Sequence, residues 1–105
     1  MDLRGIKSIF KMRKPCSNCP FRREGAIELR EGRLQDIKAS LIADDHEVFH
    51  CHKTLDAPEG KAMCMGAAAW TNAHGRPNLL TRLALFLNVL SQEELDSAEK
   101  IINRE

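Results

Sequence analysis

Four cysteines are the residues of this sequence best suited to chemistry: Cys16, Cys19, Cys51 and Cys64. The first two stand as Cys-x-x-Cys, a spacing at which two thiolates in a tight turn can face one ion or cluster. Cys51 follows after 31 residues and Cys64 after a further 12. None is left over, as a site using all four thiols requires. Cys64 is expected near the start of a helix, where exposed N–H groups favour the thiolate. Four thiolates suit an iron–sulfur cluster of the 4Fe-4S type. Zinc would take all four, or three with His52 or His50. Pro20 tips the expectation towards the cluster. Proline has no N–H to give to a metal-bound sulfur, and a Cys-Pro pair occurs in bacterial ferredoxin motifs. His52 is either the alternative ligand or a hydrogen-bond donor to a cysteine sulfur. Phe21, Phe49, Met63, Met65 and Trp70 would surround the centre with apolar surface and limit its contact with water. The bland alternative is that Cys51 and Cys64 only pack, since free cysteine is among the most buried residue types. Four packing cysteines would not ordinarily include a Cys-x-x-Cys flanked by Pro15 and Pro20.

These cysteines must be positioned by a short chain. Its 105 residues, 43% apolar and 30% charged, describe one globular domain with a small core that gains from a metal staple. Leu3, Ile6 and Phe10 predict a short amphipathic helix that stops before Pro15. Residues 15–20 then form a stiff loop. Leu34, Ile37 and Leu41 predict a helix over about 32–43. Residues 57–60 read as a turn. Met63, Ala67 and Trp70 share a face of a helix beginning near Ala62 and ended by Gly75 and Pro77. Asn78 caps a helix over 79–90 that is apolar on nearly all sides, hence central to the core or covered by a partner. Ser91 and Glu94 form a capping box for a last helix with Leu95, Ala98, Ile101 and Ile102 on its buried stripe. The fold class is therefore mainly α: a single domain with a loop-built four-cysteine metal site and a C-terminal helical hairpin. It divides into a basic segment 1–14, a cysteine region 15–70 and the hairpin 78–104. Strand content should be small, because β-branched residues are few.

The net charge of +1 hides an asymmetry. Residues 1–23 carry seven basic side chains against Asp2, and the acidic excess lies in the rest of the chain. Lys11, Arg13, Lys14, Arg22 and Arg23 are candidate contacts for nucleic acid or an acidic protein surface. The competing interpretation is a basic segment that meets its own acidic body. A second copy of the chain is a further candidate partner. No run of about 18 apolar residues exists, so no membrane span is expected. The N-terminus lacks a secretory pattern, which points to the cytoplasm, where thiols stay reduced.

Cys-Ser-Asn-Cys-Pro-Phe-Arg at 16–22, Phe-His-Cys-His-Lys-Thr at 49–54 and Cys64-Met65-Gly66 resemble an uncharacterised family of small phage and bacterial proteins. That family carries a CxxCP-aromatic-Arg element, an FxCHxT element and a final Cys-x-Gly. The resemblance covers about residues 15–70. It implies that Cys16, Cys19, Cys51, His52 and Cys64 act together, and it brings no activity.

The expected role is a non-enzymatic binding or regulatory module whose metal fixes the fold. Redox sensing or electron transfer by a cluster is the alternative. Catalysis is the least favoured reading. Cys51 beside His50 and His52 could suggest a thiol nucleophile, but working dyads usually meet through the fold rather than along the chain. The chain also lacks a Gly-rich phosphate loop, HExxH and a thioredoxin-like βαβ pattern, so a small-molecule substrate is not expected.

Overall fold

The computed structural model describes residues 3–44, 46–55 and 61–103. The fold is mainly helical. It contains α1 (Leu3–Ile9), α2 (Arg33–Ala43), a single 3-10 turn (His52–Thr54), α3 (Met65–Ala73), α4 (Leu79–Phe86) and α5 (Gln92–Glu99). Pairing outside helices among the described residues is limited to two isolated antiparallel bridges, Arg22 with Ile102 and His50 with Met63. The turn expected at 57–60 lies outside the described residues.

Helix α3 runs through the middle of the core, with every residue from Met65 to Thr71 buried. Its first turns are Gly66 and three alanines, and small side chains there let neighbouring backbone come close. Ile6 from α1 and Phe10 just beyond it, Ile37 and Leu41 from α2, and Phe21 from the loop after Cys19 belong to the same core cluster. A buried ring such as Phe21 contributes about 2 kcal/mol by leaving water. Helix α5 makes the main helix–helix contact, on α3, through a face that includes buried Leu95 and Ala98. The Ser91–Glu94 capping box forms in both directions. The short turn from α4 to α5 thus returns the chain onto α3.

Three expectations change. Helix α3 begins at Met65 rather than near Ala62, because the preceding residues are committed to backbone bonds across the core. Ala62 accepts from the Cys51 N–H at 2.8 Å, and Met63 donates to the Ile9 carbonyl at 2.7 Å. The helix capped by Asn78 ends at Phe86, not at residue 90. There Asn88 turns left-handed at φ 60°, and Val89 and Leu90 both donate back to the Ala84 carbonyl. Nor is α4 central: it buries Thr81 and Ala84, while Leu79, Leu87 and above all Phe86, 82% exposed, face outward. Among the described residues no helix is long and apolar enough to cross a membrane.

Candidate metal centre

Each cysteine is held by a different piece of local structure. Cys16 and Cys19 sit in a turn closed by the Cys19 N–H donating to the Cys16 carbonyl at 3.1 Å, and Arg22 N–H extends it by donating to the Cys19 carbonyl at 3.0 Å. Cys51 is extended and leads into the 3-10 turn. Cys64 is the N-cap of α3. The His50–Met63 bridge lays the last two segments side by side, with Cys64 N–H donating to the Phe49 carbonyl at 2.8 Å. Thr54 ties them again, its hydroxyl donating to the Cys51 carbonyl and accepting from Ala62 N–H, both at 2.9 Å.

The result is a cluster of buried, free thiols. Cys19 Sγ lies 3.4 Å from Cys64 Sγ, across 45 residues of chain. Cys16 Sγ lies 3.2 Å from His52 Nε2. Cys16 also interacts with Cys51 and Cys19, which links the two pairs. Among the described residues no three Cys, His, Asp or Glu side chains form a ready-made ion cradle, and the close approaches run in pairs. A tetrahedral ion with bonds of about 2.3 Å to sulfur separates two sulfurs by about 3.8 Å. The Cys19–Cys64 pair is slightly tighter than that, as expected of a thiol donating to a thiolate.

The protonation of the pair follows from this contact. Cys19 accepts a hydrogen bond from the Cys64 thiol, accepts N–H bonds from Phe21 and Gly66, and lies near Arg22. Together these outweigh its burial and lower it to about 7. Cys64, as the donor to Cys19 and deeply buried, is pushed strongly upward. The expectation that the α3 N-terminus would favour the Cys64 thiolate is therefore corrected. The N–H groups of Gly66 and Ala67 do act in that direction, but the shared proton and burial outweigh them. Burial also raises Cys16. The argument from Pro20 weakens as well. The N–H groups that reach the Cys19 sulfur come from Phe21 and Gly66, so the missing proline N–H costs the site nothing.

Gly66 was not singled out for a role beyond its place in the Cys-x-Gly element. A Cβ there would lie 2.4 Å from Cys19 Sγ and 3.6 Å from Cys64 Sγ. The two sulfurs therefore occupy the space that any other residue would fill. The surround is as expected: Phe21, Met63, Met65 and Trp70 are buried and Phe49 packs against the same core. The Phe21 and Phe49 rings meet edge-on at 5.9 Å. Two cations stand beside the loop, Arg22 donating to the Cys16 carbonyl at 3.4 Å and Lys53 to Ser17 Oγ at 2.7 Å.

Of the other basic side chains proposed as partner contacts, Arg13 and Arg23 brace the fold away from the cysteines. Arg13 donates to the Val89 carbonyl at 2.9 Å, to the Phe10 carbonyl at 3.3 Å and to Glu94 Oε1 at 2.7 Å. Arg23 donates to the Ile102 carbonyl at 3.0 Å and also to that of Lys100. Arg22 donates to the Glu24 carbonyl at 3.0 Å. Lys14 is exposed and Lys11 half-buried. His50 is exposed, and the His74 ring meets Trp70 at a tilt of 49°, with 4.4 Å between ring centres.

No curated protein and no solved structure matches the chain. Residues 11–103 match a family of unknown function, DUF6283, and the chain belongs to that family. The matched span contains all four cysteines and His52.

Proposed function

We propose that this DUF6283 protein is a small metal-binding module in which Cys16, Cys19, Cys51 and Cys64 hold one ion, with zinc as the metal. Its role is to bind a partner rather than to catalyse a reaction. The observation that carries the reading is the 3.4 Å approach of Cys19 and Cys64, distant in sequence, over a glycine whose side-chain space the sulfurs fill. The spacing favours one ion. In a cluster each thiolate binds a different iron, which holds the sulfurs farther apart than one tetrahedral edge. The iron–sulfur cluster remains the second reading, supported by the apolar surround of Phe21, Met63, Met65 and Trp70.

A dianionic tetrathiolate zinc would gain from Arg22 and Lys53 beside the loop. His52, 3.2 Å from Cys16 Sγ, serves as donor to that sulfur. Among the described residues the same Cys16–His52 pair is the thiol–imidazole contact that could suggest a nucleophile. Burial raises Cys16, the opposite of what an activated thiol needs. The deciding experiment is metal and sulfide analysis with an absorption spectrum on protein purified anaerobically. One zinc per chain and a colourless solution are expected. Iron with inorganic sulfide would replace zinc by the cluster, and a folded protein with no bound metal would end the proposal.

A further inference from the structure

Beside the Cys-x-x-Cys loop lies an open cleft of about 380 Å³ whose floor includes Pro20 and Phe21 and which is lined further by residues 26–27 and 29–32 and by the first half of α2. We infer that this cleft binds an extended acidic peptide, pairing along residues 28–30. The inference supplies the partner for the binding module and rests on that reading only for the rigidity of the cleft floor.

Three independent features converge here. First, residues 26–30 run without a bend or turn. Ile27 N–H is anchored on the Asn18 carbonyl at 3.0 Å, inside the Cys-x-x-Cys turn. Among the described residues the N–H groups of Glu28 and Arg30, which an extended run turns away from the anchored Ile27 N–H, meet no acceptor, an open edge of the kind that accepts an added strand. Second, Ala26, Ile27, Leu29 and Arg30 all line the cleft, so the segment lies along its wall and turns aliphatic surface towards it. Ile27 and Leu29 are each 37% exposed, and the two stand side by side in one cleft, so their apolar surface is available to a partner. Third, the cleft is rimmed by Arg22, Arg30 and Lys38 against one carboxylate, Glu31. Arg30 makes no side-chain hydrogen bond or ion pair among the described residues.

Charge alone would also suit a nucleic acid. The walls decide for a peptide. Single-stranded nucleic acid is held by exposed aromatic platforms, whereas the ring nearest this cleft, Phe21, is buried and the exposed apolar surface is aliphatic. An extended chain with carboxylates on either side of an aliphatic residue complements the edge, the walls and the rim together.

The test selects a random decapeptide display library on the immobilised full-length protein. Enriched sequences should carry acidic residues around aliphatic ones spaced two apart. The best synthetic peptide should lose at least about tenfold in affinity on Arg30→Glu and on Leu29→Asp, and should weaken as salt rises from about 50 to about 500 mM. Arg30 is exposed and Leu29 partly so, and both variants should keep the wild-type metal content and melting temperature. A second arm leaves the protein unchanged. N-methylation at alternate peptide positions should abolish binding in one register and spare it in the other, as strand pairing requires. Selection of basic or unpatterned peptides, undiminished binding to Arg30→Glu, or equal tolerance of N-methylation in both registers would overturn the inference. So would an oligothymidylate that displaces the peptide and binds more tightly. Failure of the metal reading shows separately, as absent metal in the wild-type protein.

Discussion

Replacing Gly66 by alanine tests the candidate centre at the point where it is tightest. Elsewhere in a helix the change would stabilise by about 1 kcal/mol, because glycine loses more backbone freedom on folding. Here the new Cβ would stand 2.4 Å from Cys19 Sγ and 3.1 Å from Phe21 Cβ. An ordinary carbon–sulfur contact is near 3.7 Å, so the overlap exceeds an ångström. Neither neighbour can yield into solvent, since Cys19 is fully buried and Phe21 is 1% exposed. Overpacking of this kind costs about 1–3 kcal/mol, which reverses the sign of the propensity gain. The displaced sulfur is also a proposed ligand, and the Gly66 N–H bonds to it. Disturbing such support typically weakens metal affinity by about 10- to 100-fold. Urea unfolding of the metal-free protein reads the packing cost, and competition with a chromogenic chelator reads the affinity. If Gly66→Ala is as stable as the wild type and holds metal as tightly, the sulfur packing described here is wrong.

Removing ligands should separate the first coordination sphere from its support. Cys16→Ser, Cys19→Ser, Cys51→Ser and Cys64→Ser should each abolish stoichiometric metal, whereas His52→Ala should retain it with about 10- to 100-fold lower affinity, both read by metal analysis and chelator competition. Metal affinity should fall steeply with acidity. Cys16 and Cys64 are both raised and so hold their protons at neutral pH; expelling at least these two protons costs at least about 100-fold per pH unit, and Cys19 adds another below about 7, as competition titrations from pH 6 to 8 would record. Arg13→Ala should lower stability by about 1 kcal/mol through the lost bonds to the Val89 carbonyl and Glu94 in thermal or urea unfolding, and should leave any nucleic-acid affinity unchanged.

Local rules carried much of this fold in the sequence. Asn78 caps α4 by accepting from Thr81 N–H, and Ser91 and Glu94 exchange both bonds of their box, because a cap depends on side chains three residues apart. Ile37 and Leu41 bury one face of α2 for the same short-range reason. The errors fall where long-range bonds outweigh local preference. Met63 has the spacing of a helical face, but its N–H is taken by Ile9, more than fifty positions away, so the helix waits until Met65. The leucine-rich run after Asn78 reads as core by composition. The left-handed turn at Asn88 and the return bonds to Ala84 shorten it to two turns and leave Phe86 outside.

The site divides along the same line. Residue type and spacing name its members, while their partners depend on how distant segments meet. A helix N-terminus favours a thiolate at Cys64 on its own field, and that inference fails because Cys19 arrives from 45 positions away and takes the charge. Likewise, Arg13 and Arg23 look like free cations in a string of letters, but in the fold they cap carbonyls at the other end of the chain, Val89 and Ile102. Charge counts therefore mislead wherever a short chain must close its termini together, since arginine is suited to that bracing through its several donors. Among the described residues Arg30, in the loop that sequence periodicity passed over, keeps its side chain clear of such bonds beside an apolar cleft, and that is where a partner of opposite charge should be sought.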